Sequence, residues 1–364
     1  MISYQSFSIF DNIPFRRLKK VVFKLGGLKT KYIRFYSVLP NMDQNIFDKY
    51  QSNNRCIFVI NELPDLQARI QVSLFSILEE KEIQVRGFKL RLPLDLQFIF
   101  TANPEDYTNR GSIVTPLKDR IGSQIITHYP HTLSVAKKIT AQESGSSDQD
   151  IYVPELAKDL IEEINFSARR SEYVDYKSGV SARMSITAYE NLISTAKRRL
   201  LINGESKTTV RLSDFSGIIP AINGKIELVY EGEEQGADQI SFNLINEGVK
   251  TIFLKFFPEI SKLEKQNEIT PYDEILTWFV EKGSELFIGD EFTDKEYENA
   301  IDEIKPLKNL IKKYCKNLND NDTYFVKEIL LWGLSSFNKL SKNRMLDGIE
   351  FKDSLGSYLK GLNS

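Results

Sequence analysis

The chain has 364 residues, 41% of them hydrophobic and 27% charged, with a formal net charge of −2. These values suit a soluble globular protein long enough for two or three domains, and the near-neutral balance argues against a general nucleic-acid binder. No apolar run approaches the roughly 20 residues needed to cross a bilayer, and two cysteines, Cys56 and Cys315, are too few for a disulfide framework, so a reducing cytoplasm is expected.

The average conceals a skewed start. Residues 1 to 50 carry nine Lys or Arg against three Asp, together with six Phe and four Tyr. Basic and aromatic residues together suit a single-stranded nucleic-acid surface. No recognisable binding fold accompanies them, and no clean apolar core follows a short basic start as in a signal peptide. With no sustained helical or strand period, residues 1–53 read as an atypical N-terminal cap. Within them, Lys24-Leu25-Gly26-Gly27-Leu28-Lys29-Thr30 follows a candidate strand at Val21-Val22-Phe23 and holds the ingredients of a phosphate cradle. In a P-loop the glycines let backbone N–H groups close on phosphates and the Lys follows the last glycine directly. Here Leu28 intervenes and the first glycine is missing at its offset, so the mechanism fails on spacing.

The stretch from Arg55 to Ser123 organises the rest. Cys56–Ile60 and Leu96–Phe100 are short β-branched or aromatic runs that stop at polar residues, as buried parallel strands do. The first ends in Asn61-Glu62 and the second in Thr101-Ala102-Asn103-Pro104, which places both polar sets at strand carboxyl ends, where open α/β sheets hold ligands. Between them, Asp65 to Glu80 has a helical period with Leu66, Ile70, Leu74, Phe75, Ile77 and Leu78 near one face and Pro64 at its entry. Ile83 to Leu92 alternates around Arg86-Gly87 as a β-hairpin. Pro116 to Arg120 forms a short helix, giving the order strand, helix, hairpin, strand, helix.

These residues resemble the second half of an AAA+ ATPase core, and within it the magnesium chelatase subunit I and MoxR-like branch, which places a hairpin between the acidic strand and the next. Ile57–Glu62 resembles the Walker B strand, Asn103 the sensor 1 position, and Arg120, after Leu117-Lys118-Asp119, the arginine finger. Gly179-Val180-Ser181-Ala182-Arg183 resembles the opening of the sensor 2 helix. The resemblance covers residues 54 to 203. It implies an α/β fold: a partial parallel-sheet core with a hairpin insert at 54–130 and a helical lid at 131–213; beyond the resemblance, 214–364 reads from its own apolar periods as a mainly α-helical module. The resemblance further implies ATP and Mg²⁺ as ligands, a homo-oligomeric ring, a partner protein carrying a von Willebrand A domain, and an ATP-driven remodelling or metal-insertion activity.

The residue roles implied follow phosphoryl-transfer chemistry. Glu62 is the candidate base for the attacking water, and Asn103 holds that water or contacts the γ-phosphate. Arg120 reaches a nucleotide on the neighbouring subunit, and Arg183 contacts phosphate in its own. Asn61 stands where the family has the aspartate that helps hold Mg²⁺; a neutral amide loses the charge that favours the ion. Arg69, Arg86 and Arg110 read as solvated or positioning charges.

The elements that precede Walker B in the family do not fit into the first fifty residues, so the chain is expected to lack the front of the nucleotide-binding domain, with a replaced sequence before Asn54. The alternative function is then a non-catalytic fragment or structural subunit that does not bind ATP on its own.

Downstream, helices are expected over His131–Glu143, from Pro154 with Lys158, Asp159 and Glu162 on its polar side, and from Ser181, as cap, to about Leu201. Lys197-Arg198-Arg199 supply cations suited to that helix's C-terminus, and Asn203-Gly204 a stop. His128 and His131 flank Pro130 with no third ligand nearby, so no metal site is expected. Asn223–Gly232 reads as a short strand, Phe242–Phe257 and Tyr272–Phe287 as helices, and 294 to 361 as four more.

Overall fold

The computed structural model describes residues 18–21, 33–38, 55–80, 82–85, 88–91, 95–102, 112–145, 148–176, 178–265, 270–282, 285–315 and 318–354. The chain divides into two units between His128 and Tyr129.

In the first unit the elements are β1 (Leu18–Val21), β2 (Ile33–Val38), β3 (Arg55–Ile60), α1 (Ala68–Phe75), β4 (Glu82–Val85), β5 (Phe88–Arg91), β6 (Asp95–Phe100) and α2 (Thr115–Asp119). The sheet runs β1-β2-β3-β6. β3 and β6 pair in parallel from Arg55 opposite Asp95 to Ile60 opposite Phe100, whereas β2 lies antiparallel to β3. The N-terminal segment therefore contributes two strands where the sequence showed no sustained period. Pairing onto β3, a tertiary effect, decides this conformation rather than local pattern. The Lys24–Thr30 stretch lies outside the described residues.

The crossover from β3 to β6 begins with a single 3₁₀ turn, Leu63–Asp65, continues as α1, and ends in a π-helical turn, Ser76–Glu80. β4 and β5 form the expected hairpin, with Val85 opposite Phe88. Phe58, Ile60, Leu63, Leu74 and Leu117 make the core of this unit. Each buried aliphatic or aromatic side chain of this kind contributes about 1.5–3 kcal/mol relative to exposure.

Gln71 is the polar residue that fastens α2 to this core. It is 1% exposed. Its amide donates to the carbonyls of Leu66 at 2.9 Å and Ser112 at 3.2 Å, and its Oε1 accepts from the Val114 N–H at 2.9 Å. A buried amide satisfied on both ends fixes the loop that enters α2.

The second unit is mostly helical. It contains α3 (Leu133–Glu143), β7 (Ile151–Tyr152), α4 (Glu155–Arg170), α5 (Arg183–Asn203), β8 (Thr208–Thr209), α6 (Ile219–Asn223), α7 (Tyr230–Gln235), α8 (Ala237–Phe256), α9 (Ile260–Lys265), α10 (Asp273–Lys282), β9 (Leu286–Gly289), α11 (Asp294–Asp302), α12 (Lys305–Tyr314), α13 (Asp320–Ser336), β10 (Leu340–Arg344) and β11 (Gly348–Asp353). One hydrophobic core runs from Ile151 to Phe351, across the 213/214 boundary between the lid and the C-terminal module read from the sequence.

Helix α8 is central, packing on α4 and α13. Glycines let the helix backbones approach: a Cβ on Gly248 would lie 2.9 Å from Leu160 Cδ1, and one on Gly333 would lie 2.1 Å from Phe253 Cδ2.

Several local expectations change. Asn223–Gly232 is not a strand: its ends belong to α6 and α7, and only Leu228 makes an isolated bridge, to Val174. The helix expected over Tyr272–Phe287 stops at Lys282, and Phe287 lies in β9. After α11, α12 and α13 the chain ends its described part in a hairpin, not a helix; β10 and β11 join β9 in the order β10-β11-β9. A strand with one buried face beside helices carries too few residues to separate its period from helical noise. Glu162, assigned to the polar side of α4, is buried, accepting from the hydroxyls of Thr140 at 2.5 Å and Ser185 at 2.8 Å. Burial raises its pKa above the usual carboxylate range, and the hydroxyls offset part of that rise.

Candidate functional site

The carboxyl ends of β3 and β6 meet at Thr101. Its N–H donates to the Ile60 carbonyl at 3.0 Å and its carbonyl accepts from the Leu63 N–H at 2.9 Å. Its hydroxyl accepts from the Glu62 N–H at 3.0 Å and donates to Asn61 Oδ1 at 2.6 Å. Every polar group of Thr101 is thus spent on shaping the turn that carries the two candidate residues.

That turn puts Glu62 at φ 53, ψ 60, in the left-handed region. For a residue with a Cβ this conformation costs of order 1–3 kcal/mol and persists only where the surroundings impose it. Here the Thr101 hydroxyl and carbonyl impose it. Glu62 is half-buried, and its carboxylate has no hydrogen-bond or ionic partner among the described residues. A carboxylate held on a strained, fixed backbone without a partner is placed to accept a proton from a ligand or a water.

Asn61 differs. Its Oδ1 already accepts from Thr101, and among the described residues no group of three or more His, Cys, Asp and Glu could hold a metal ion. The neutral Asn61 amide therefore brings no charge that would hold Mg²⁺ at this turn. Asn103 and Arg110 lie outside the described residues.

Arg120 follows α2 as its C-cap. Its Nε donates to Glu79 Oε2 at 2.7 Å, its Nη2 lies 2.5 Å from the same oxygen, and its Nη1 donates to the Pro116 carbonyl at 2.8 Å. The guanidinium lies 5.0 Å from the centroid of the Phe75 ring. Arg120 retains 29% of its side-chain exposure.

Arg183 is the first residue of α5 and is exposed. A cation at a helix N-terminus opposes the macrodipole, and this one has no ionic partner among the described residues. Ser181 is not the side-chain cap: Ala182 occupies that position, and the Ser181 hydroxyl accepts from the Arg183 N–H at 3.2 Å. Arg183 belongs to the second unit, whereas Asn61, Glu62, Thr101 and Arg120 belong to the first.

The second unit also holds a buried ionic network that the sequence reading passed over. Arg199, read as a helix-terminal cation, is 3% exposed and pairs with Asp214 at 2.9 Å. Arg211, 2% exposed, pairs with Asp294 at 2.6 Å and lies 4.3 Å from the Tyr297 ring centroid. Glu328 is fully buried; its Oε2 accepts from the Tyr297 hydroxyl at 2.9 Å and the Leu212 N–H at 2.8 Å. Loss of water pushes the Glu328 carboxyl up to about 7.

A cavity of about 600 Å³ lies beside this network, between α5, the Ser213–Ile218 turn and the Asp290–Glu291 loop. The arginines on its rim, Arg198 and Arg344, are neutralised by Glu291 and Asp290. The only sequence signal for the network is an excess of charge in helical segments, which does not distinguish a buried arginine from a solvated one.

Among the described residues no helix is long and apolar enough to cross a membrane. No protein-family model and no curated protein matches the chain. A solved structure described as a "putative ATPase", from Cytophaga hutchinsonii, is similar to it at 20% identity and a TM-score of 0.20, covering 52% of this chain. The chain spans 64% of the length of that protein.

Proposed function

We propose that this chain is an AAA+ ATPase-family subunit of the magnesium chelatase I and MoxR-like branch, acting in a ring as an ATP-driven remodelling or metal-insertion component. The observation that carries the reading is the Ile60–Leu63 turn. It presents an unpartnered carboxylate at the end of a parallel strand, in a strained conformation enforced from the adjacent strand.

In this reading ATP is the substrate. Glu62 accepts a proton from the attacking water as its oxygen bonds to the γ-phosphorus, and the bond to ADP breaks with its electron pair leaving on ADP. Arg120 donates N–H groups to the phosphoryl oxygens of a nucleotide on a neighbouring subunit, and Arg183 contributes charge from α5. Asn103 orients the water, and a partner with a von Willebrand A domain receives the work.

A second reading is favoured by Asn61. With its oxygen engaged and no acidic cluster beside it among the described residues, the chain suits a non-catalytic member that completes a neighbour's site. Calorimetric titration with Mg-ATP and steady-state turnover of the purified chain separate the two. The first predicts saturable binding and a turnover that falls about 100-fold or more in Glu62→Gln with binding retained. Absence of binding by the wild-type chain overturns it in favour of the second.

A further inference from the structure

We infer that Glu79 is a positioning residue for Arg120, pre-orienting its guanidinium toward a phosphate group carried by a second copy of this chain. The inference rests on the ATPase reading above and adds to it a residue that neither spacing nor resemblance singles out.

A guanidinium has five N–H donors in one plane. In Arg120 the Nε–H donates to Glu79 Oε2 and one Nη1–H to the Pro116 carbonyl, while Nη2 lies 2.5 Å from the same Glu79 oxygen. Each terminal nitrogen still keeps an N–H outside these contacts. Donors on both terminal nitrogens are what a guanidinium offers to two oxygens of a phosphate.

One further contact bears on the plane, and the local helix geometry on the carboxylate. The Phe75 ring lies 5.0 Å from the guanidinium. Glu79 sits in the π-helical turn Ser76–Glu80 that continues directly from Phe75; such turns occur frequently at functional sites because the extra residue per turn re-aims a side chain. Glu79 itself is 60% exposed and serves no core. Its ionic bond to Arg120 thus contributes little to folding, while it removes the rotamer search that a flexible arginine otherwise makes each time it engages.

The test is steady-state ATP turnover of the full chain and its variants Glu79→Gln, Glu79→Asp and Arg120→Ala, with melting followed in parallel. Glu79→Gln is expected to lower kcat about two- to fivefold with KM unchanged and melting unaltered, and Glu79→Asp, which keeps the charge, to recover most of the loss. Arg120→Ala is expected to abolish turnover. Turnover that requires Arg120 but is unchanged or faster in Glu79→Gln overturns the positioning role and leaves the ATPase reading standing. Absence of turnover in the wild-type chain overturns both.

Discussion

The hydroxyl of Thr101 donates to Asn61 Oδ1 at 2.6 Å across the parallel pair β3–β6, while the same oxygen accepts the Glu62 N–H. One side chain thus satisfies two polar groups on the neighbouring strand's end. Thr101→Val keeps the shape and removes both bonds, leaving the Asn61 oxygen and the Glu62 N–H without their partner. A part-buried donor or acceptor left unsatisfied costs about 1–3 kcal/mol. The first unit of Thr101→Val is expected to unfold at correspondingly lower denaturant, and Thr101→Ser, which keeps the hydroxyl, to stay near the wild-type midpoint.

Glu62 carries the opposite expectation. At φ 53 it sits where glycine rests without a steric penalty. Glu62→Gly is predicted to raise the stability of the first unit by about 0.5–1 kcal/mol, while removing the carboxylate on which the proposed hydrolysis depends. Chemical denaturation measures the gain. A loss of stability would show that the Glu62 side chain contributes packing that outweighs the strain.

The two variants mark how far the sequence was legible. β3, β6, the hairpin and α2 can be read because each is a short apolar or alternating run closed by polar or turn residues, and Glu62 follows as the residue after the strand. Thr101, Gln71 and Glu79 cannot be read so, because their partners lie 39 to 43 residues away and no spacing encodes them. The same holds for Arg199, whose neighbours Lys197 and Arg198 are exposed. Its identity as the buried member of a basic triplet depends on which face of α5 meets Asp214. The β9–β10–β11 sheet escaped for another reason: three helices separate β9 from the β10–β11 hairpin, so no local turn links β9 to the pair that completes it.

Arg199 and Asp214 are 3% and 4% exposed and bond at 2.9 Å. Truncating one partner strands the other charge away from water, and breaking such a buried pair costs about 3–5 kcal/mol. Arg199→Ala is expected to lower the stability of the second unit by that amount in urea titration. The double replacement Arg199→Met with Asp214→Leu, which removes both charges and refills part of the volume, is expected to cost much less than the two single truncations added together.

Glu328 turns this network into a pH-dependent term. Its carboxyl is pushed up to about 7, by burial first and also by the charge of Asp214, against the opposing bonds from Tyr297 and Leu212 and the charge of Arg211. Relative to an ordinary carboxyl at 4.5, the folded chain holds a proton that the unfolded chain has released throughout the window from about pH 4.5 to 7. The contribution of Glu328 is therefore fully present below pH 4.5 and is lost as pH rises through 7, with a slope approaching about 1.4 kcal/mol per pH unit inside the window. Lys342 acts in the next window: burial pulls its ammonium down to about 7 from 10.5, so its contribution to stability increases as pH rises from 7 toward 10.5. Urea midpoints of the wild-type chain's second unit, measured across this range, are expected to pass through a minimum near neutrality. Glu328→Gln, which cannot titrate, is expected to remove the falling acid limb while leaving the rising alkaline one. Persistence of the acid limb in Glu328→Gln would assign the proton uptake to another carboxyl raised by burial, with Glu162 and Glu298 the next to replace.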